Sequence, residues 1–260
     1  MEKRPLILVT NDDGMFAPGI KNLVEVAKKL GDLLVVAPDS PQSAKGHGVT
    51  MSVPIRLNKV DVFGPDIEAY ECTGTPVDCV KLAKHVLLKE RKIDLCLSGI
   101  NHGSNASINI IYSGTMSAAM EASIEGIPSI GFSLLDYSFE ADFTGSAKYA
   151  KLITKHVLAH GIKGAKLLNV NIPKLPLDQL KGIKVCRQAE GRWIEDFTEG
   201  LDPRNRKYYW LTGQFIVDDE GEDTDIHALS EGYVSVVPSM HDLTDHSAIV
   251  TNKTIEQLGR

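Results

Sequence analysis

The sequence predicts an α/β fold built on a doubly wound parallel sheet. Three observations predict it. Short apolar runs rich in Val, Ile and Leu, of the kind buried on both faces of a sheet, recur up to about residue 180. Helical patterns separate these runs, so strands and helices alternate. Several runs end in polar loops that carry Asp, Ser or Asn, and the carboxyl ends of strands are where open α/β sheets bind ligands.

The elements follow in chain order. The first strand, Leu6-Ile7-Leu8-Val9, runs into Thr10-Asn11-Asp12-Asp13-Gly14. Gly14 permits a sharp turn. Gly19 then opens an amphipathic helix, with Ile20, Leu23, Val24, Ala27 and Leu30 at helical spacing and Gly31 closing it. Residues 33–37 form a second buried strand. It leads into a long polar loop, residues 38–48, that holds Asp39, Ser40, Ser43 and His47. Residues 50–61 have β-character interrupted by Pro54, as in edge strands or a hairpin, and residues 69–73 form another short strand. Thr75-Pro76-Val77-Asp78 is a helix start: a capping hydroxyl, a proline at the first helical position and an acid three residues after the cap. That helix is expected to reach about Lys89. Residues 93–98 are the next strand, ending in Gly99-Ile100-Asn101-His102-Gly103.

Tyr112-Ser113-Gly114-Thr115 opens a helix of small residues, among them Ser117, Ala118, Ala119, Ala122 and Ser123, and Gly126-Ile127-Pro128 ends it. A strand over residues 129–135, a helix over 147–160 and a strand over 166–172 continue the alternation. From about Lys181 the pattern changes. Residues 183–188, 208–212, 215–217 and 233–237 read as strands without helices between them. Residues 218–225 hold six acids in eight positions and read as a solvated loop, because EF-hand spacing is absent. The tail from His241 is weakly helical.

The 260 residues suffice for one large domain or two small ones, and 43% hydrophobic with 24% charged residues is ordinary globular composition. A net charge of −6 argues against a protein that tracks a nucleic-acid polymer, but not against a small anionic substrate, since a bound cation reverses the local sign. Cys72, Cys79, Cys96 and Cys186 form no C-x-x-C pair. No signal peptide or membrane-spanning run is visible, so the expectation is a cytoplasmic protein with reduced thiols and no membrane partner.

In a parallel sheet the loops after three strands emerge on one edge. They bring Asp12 and Asp13, then Asp39, Ser40 and Ser43, then Ser98 and Asn101 toward one place. All are hard oxygen donors, suited to Mg²⁺, Mn²⁺ or Ca²⁺ and not to zinc. Asp-Asp-Gly is also a common turn, so the remaining loops decide its meaning. The start of the small-residue helix supplies free N–H groups, a positive dipole end and the hydroxyls of Ser113 and Thr115, which suit phosphate, though caps are the commoner use. A cation beside an anion-binding helix end points to phosphoryl chemistry, whose uncatalysed monoester hydrolysis needs accelerations of up to about 10²¹-fold. One of Asp12 and Asp13 is then a metal ligand, while the other also positions or deprotonates the attacking water. His47 and His102 lie in these loops as proton donors or as hydrogen-bonded bystanders. Packing of a hairpin is the favoured use of Trp193, Tyr208, Tyr209 and Trp210, ahead of stacking on a base.

At these motifs the chain resembles the SurE survival-protein nucleotidases. The matching stretches are Val9 to Gly14, Val36-Ala37-Pro38-Asp39 with Ser43 and Gly46-His47, and Gly74-Thr75-Pro76-Val77-Asp78-Cys79-Val80. They continue in order through Ser98-Gly99-Ile100-Asn101, Tyr112 to Thr115, Gly126-Ile127-Pro128-Ser129-Ile130 and Gly232-Tyr233-Val234-Ser235. The resemblance implies a metal-dependent phosphatase acting on nucleoside 5′-monophosphates, with 3′-monophosphates and short polyphosphate as further substrates. It implies one divalent cation per subunit, Mg²⁺ or Mn²⁺, held by Asp12, Asp13, Ser43 and Asn101, and phosphate contacts at Asn101, Ser113, Gly114 and Thr115. It also implies a single Rossmann-like domain over residues 1–260. The core covers about residues 1–180, with an extended β-hairpin and a C-terminal segment exchanged between subunits over about 181–260. A homodimer or homotetramer follows. Ser107 and Asn109 stand where the family more often has Gly and Asp, which bears on substrate preference and not on the metal ligands.

Other readings are weaker. A receiver-type signalling domain needs a phosphoaccepting Asp where Ser98 and Asn101 stand, and a chain about half this length. A haloacid-dehalogenase-type phosphatase needs D-x-D, whereas Asp12 and Asp13 are adjacent. A dinucleotide oxidoreductase needs G-x-G-x-x-G after the first strand. A non-catalytic nucleotide sensor uses the same ligands, and only turnover separates it.

Overall fold

The computed structural model describes residues 4–258 except 90, 139 and 220. Along β1 (Leu6–Thr10) every residue is buried, and alternate side chains serve two different cores. Ile7 and Val9 enter the core with Ile20, Leu23 and Val24 of α1 (Pro18–Ala27) and with Tyr149, Ile153 and Val157 of α4 (Thr144–His160). Leu6 and Leu8 enter the core with Cys79 and Val80 of α2 (Pro76–Leu82) and with Ala118 and Ala122 of α3 (Gly114–Ile124). A strand of period two with both faces covered needs apolar residues at every position, which is why the run reads as continuous.

The other strands are β2 (Asp32–Pro38), β3 (Leu57–Val60), β4 (Glu68–Cys72), β5 (Leu95–His102), β6 (Ser129–Leu134), β7 (Leu167–Ile172) and β8 (Ile183–Val185). They continue with β9 (Gly191–Leu201), β10 (Lys207–Val217) and β11 (Val234–Ser239). Among the described residues the main sheet has nine strands in the order β3-β4-β2-β1-β5-β6-β7-β11-β8. Pairing is parallel from β4 through β7, with antiparallel β3–β4 and β11–β7 contacts toward the edges. The order reverses direction at β1, so the loops after β1, β2 and β5 share one edge.

Several sequence expectations change. The helix after β1 begins at Pro18 and ends at Ala27, before Leu30. β5 does not stop at Ser98. It continues to His102 with a register shift against β6 between Ser98 and Asn101, and a bulge of this kind lets the strand carry Asn101 onward. The capping box at Thr75 and Asp78 forms, but regular α-geometry stops at Leu82 and Ala83–Leu88 continues as a wider π-type turn. The largest differences lie after Lys181. β9 and β10 form the extended hairpin that the resemblance implies, 11 residues per strand and among the described residues paired with each other alone, though no strand is read from the residues of β9. A helix, α5 (Asp225–Ser230), also separates β10 from β11, contrary to the reading of strands without helices between them. The tail holds a short helix, α6 (Ala248–Thr251), and a 3₁₀ turn, Asn252–Gln257.

Candidate active site

Asp12 and Asp13 stand where β1 ends. Asn11 fixes the turn by donating its amide to the Gly14 carbonyl at 3.0 Å, and Gly14 has φ of +100°, which its lack of a side chain permits. Asp12 is buried, and its carboxylate meets the N-terminus of α3. The Thr115 hydroxyl donates to Asp12 Oδ1, and the backbone N–H groups of Thr115 and Gly114 also face this carboxylate. A Cβ on Gly114 would lie 2.7 Å from the Asp12 Cβ and 2.9 Å from Oδ2, so the helix approaches this closely only with glycine there. Ser113 caps the same helix, accepting from the Met116 N–H at 3.0 Å. The hydroxyl predicted to meet phosphate is thus engaged in capping, and that of Thr115 in holding Asp12.

Asp13 is less enclosed. The His102 N–H donates to its Oδ2 at 3.3 Å. Burial, then the charge of Asp12, push the Asp13 carboxyl up to about 6. Burial also raises Asp12, against the donors from α3. Two carboxylates raised this way are at odds with each other and with their surroundings, a condition that a divalent cation relieves.

The other predicted ligands come from the neighbouring strand ends. The Gln42 N–H donates to the Asp12 carbonyl at 2.8 Å, which brings the loop carrying Ser43 to the β1 turn. Ser43 itself is exposed. Asn101 spends its amide N–H on the Gly103 carbonyl at 3.0 Å, which leaves its side-chain oxygen as the acceptor. Asp39 and Ser40 bond to each other at 2.8 Å on the surface. Among the described residues, the buried Asn11 Oδ1, Thr10 Oγ1 and Ser98 Oγ have no hydrogen-bond partner, and Thr10 and Ser98 are register partners in β1 and β5. These oxygens are acceptors close to the turn that carries the Asp pair. The donors offered are two carboxylates, a hydroxyl and an amide oxygen, with no thiol or imidazole needed, so the residues fit a hard divalent cation. Among the described residues no group of three or more His, Cys, Asp or Glu forms a competing metal cluster.

The histidines divide. His47 Nε2 is 2.8 Å from Glu121, and the His102 ring packs edge-on against Phe143 at 5.2 Å between centroids. Trp193, Tyr208, Tyr209 and Trp210 all lie on the hairpin, where Trp193 donates to Asn109 at 2.9 Å.

Two residues near the site escape sequence reasoning. Glu121 is a buried acid in α3, and an acid among Ser, Ala and Met was the signal available. Asp225, in the run read as a solvated loop, is fully buried. Its Oδ2 accepts from the Ser107 N–H at 2.8 Å and its Oδ1 from the Ala189 N–H at 2.9 Å, so it ties the segment before α3 to the base of the hairpin.

Comparison with known proteins is consistent with this geometry. The family model described as "Survival protein SurE" matches residues 7–195. A 5′-nucleotidase SurE of Christiangramia forsetii is 60% identical over 249 residues, covering 95% of each chain. One of Flavobacterium psychrophilum is 56% identical over 246 residues, again covering 95% of each chain. The crystal structure of the SurE protein from Aquifex aeolicus matches with a TM-score of 0.83 at 43% identity, covering 97% of this chain and 100% of that one.

Proposed function

The chain belongs to the SurE survival-protein family, and from that premise we propose that it is a metal-dependent phosphatase releasing phosphate from nucleoside 5′-monophosphates. The observation that carries the reading is the meeting of the Asp12–Asp13 pair with the N-terminus of α3 through Thr115 and Gly114. A cation site and an anion site then share one sheet edge. Asp12, Asp13, Ser43 and Asn101 would hold one divalent cation per subunit, Mg²⁺ or Mn²⁺. When bound, such a cation neutralises charge on phosphoryl oxygens and lowers the pKa of water.

The chain's own residues supply the rest. Asp12, fixed by Thr115, is the oriented ligand. Asp13 is the more accessible acid and is assigned to position the attacking water and take its proton. Asn101, Ser113, Gly114 and Thr115 are assigned to the phosphate; the Asp12 carboxylate already meets the Thr115 hydroxyl and the Gly114 and Thr115 N–H groups, so the phosphate would share the start of α3 with it. The same chemistry extends to 3′-monophosphates and short polyphosphate.

The reading includes a single domain, with a catalytic core over about residues 1–180 and an assembly region over about 181–260, and a homodimer or homotetramer. Apolar side chains exposed on the hairpin support the assembly. Four free, buried cysteines support a cytoplasmic setting, and among the described residues no helix is long and apolar enough to cross a membrane.

The test is phosphate release from a panel of nucleoside 5′- and 3′-monophosphates, with EDTA and then with Mg²⁺ or Mn²⁺ restored. Release should depend on the cation and fall by about 10²- to 10⁴-fold in Asp12→Asn and Asp13→Asn. Nucleotide binding without release from any substrate would replace the phosphatase with a sensor.

A further inference from the structure

We infer that Glu121 is a positioning residue for the loop that carries Ser43, acting through His47. The inference rests on the assignment of Ser43 as a cation ligand and extends it to two residues that touch neither cation nor substrate. Glu121 is 4% exposed, on α3. A carboxylate buried to that degree is costly unless it is paired. It has two partners: Lys81 of α2 and His47, whose Nε2 lies 2.8 Å from Oε2.

The Lys81 contact belongs to a repeated pattern. Just past the end of α3, Glu125 pairs with Lys84 and His85 of the π-type turn that continues α2, so these neighbouring segments are already joined by ion pairs. The His47 contact is different, because it reaches outside the helix pair into a loop. Residues 43–45 of that loop are exposed and have no regular secondary structure, and Ala44 has φ of +59°. A segment of this kind keeps a defined path only where it is pinned.

The pins flank Ser43. Upstream, the Gln42 N–H holds the Asp12 carbonyl at 2.8 Å; downstream, the Gly46 N–H holds the Tyr112 carbonyl at 3.1 Å. His47 adds a side-chain pin directly after Gly46. Beyond it, the Gly48 carbonyl accepts from Thr75 at 2.7 Å, and the Thr50 N–H meets both Asp78 oxygens at 3.2 Å. Tyr112 immediately precedes Ser113. The loop is therefore referenced at once to the Asp12 turn, to the start of α3 and, through Glu121, to the body of α3. Loss of the Glu121 charge removes the one of these downstream pins that reaches the body of α3 and loosens that side of Ser43, while the ligand atoms themselves remain.

The experiment compares Glu121→Gln, His47→Ala, His47→Gln and Ser43→Ala with the parent chain. The readouts are titration of the metal-free protein with Mn²⁺ and hydrogen exchange of residues 42–50 without metal. His47 lies on the surface loop, so its variants keep the test open if Glu121→Gln folds poorly. Mn²⁺ affinity should fall by about 10- to 100-fold in Glu121→Gln and His47→Ala, as for other groups that orient metal ligands. Exchange of the loop should quicken in both. His47→Gln keeps a donor toward Glu121 and should recover most of the affinity, which a general packing defect would not allow. Parent-like affinity and exchange in Glu121→Gln and His47→Ala, with Ser43→Ala impaired, would overturn the inference alone. Parent-like affinity in Ser43→Ala would overturn the ligand assignment and, with it, the inference.

Discussion

Asp13 has its carboxyl raised from 3.8 to about 6 by burial and by Asp12. The folded chain therefore holds a proton there that the unfolded chain has released over that interval. Stability then falls as pH rises from about 4 to about 6, and the contribution is fully present only below the unfolded value. In EDTA, the parent should lose melting temperature relative to Asp13→Asn as pH climbs through this window. A constant difference between the two across the window would contradict the assigned environment. A bound divalent cation competes with that proton, so Mn²⁺ should stabilise the parent well above pH 6 and progressively less below it. Asp12, Asp13 and Asn101 could be assigned from the sequence because strand ends in a parallel sheet point to one edge. Glu121 and Asp225 were not, because what they do depends on partners 74 and 118 residues away in sequence. Ser107 and Asn109 likewise gained a meaning only in three dimensions. The Ser107 hydroxyl donates to the Ala189 carbonyl, and the Asn109 oxygen accepts from Trp193.

At the scale of elements, α2 shows local signals at their clearest. The Thr75 hydroxyl accepts from the Asp78 N–H at 3.2 Å and donates to the Gly48 carbonyl at 2.7 Å, while Asp78 Oδ2 accepts from the Thr75 N–H at 2.9 Å. Thr75→Ala should cost about 1–2 kcal/mol in chemical denaturation, and Thr75→Ser should restore most of it. Equal losses in both variants would mean that methyl packing, not the hydroxyl, matters. β9 gave no such signal. Most of its side chains are exposed on both faces, so no core imposes the alternation by which a half-buried strand is recognised. α5 was hidden by the acids around it. Asp219 and Asp223 pair with Arg187, whose guanidinium holds Asp219 well below the usual carboxylate range, whereas Asp225 turns inward at the start of the helix. A run of like charges read as one solvated unit thus divides into surface ion pairs and a buried anchor.

At the scale of the whole molecule, the hairpin stands apart from the nine-stranded sheet. An isolated two-stranded ribbon is marginal in water, and this one exposes Phe197, Tyr209, Trp210 and Leu211, each more than half accessible. Light scattering should give the parent the mass of two or four chains. Replacing residues 193–215 with a short Asn-Gly turn should leave the sheet folded and shift the mass toward one chain. A monomeric parent, or an assembly indifferent to the deletion, would remove the hairpin from that role. β11, meanwhile, sits between β7 and β8, so a strand near the end of the chain is inserted inside the sheet. Every assigned ligand lies within the first 115 residues, yet Asp225, which holds the segment leading to α3, arrives more than 100 residues later. Synthesis delivers chains N-terminus first. The segment that leads into α3 therefore gains its buried anchor only late in synthesis. A chain that stops short of residue 225 thus has every assigned ligand but not the buried carboxylate that accepts from both Ser107 and Ala189.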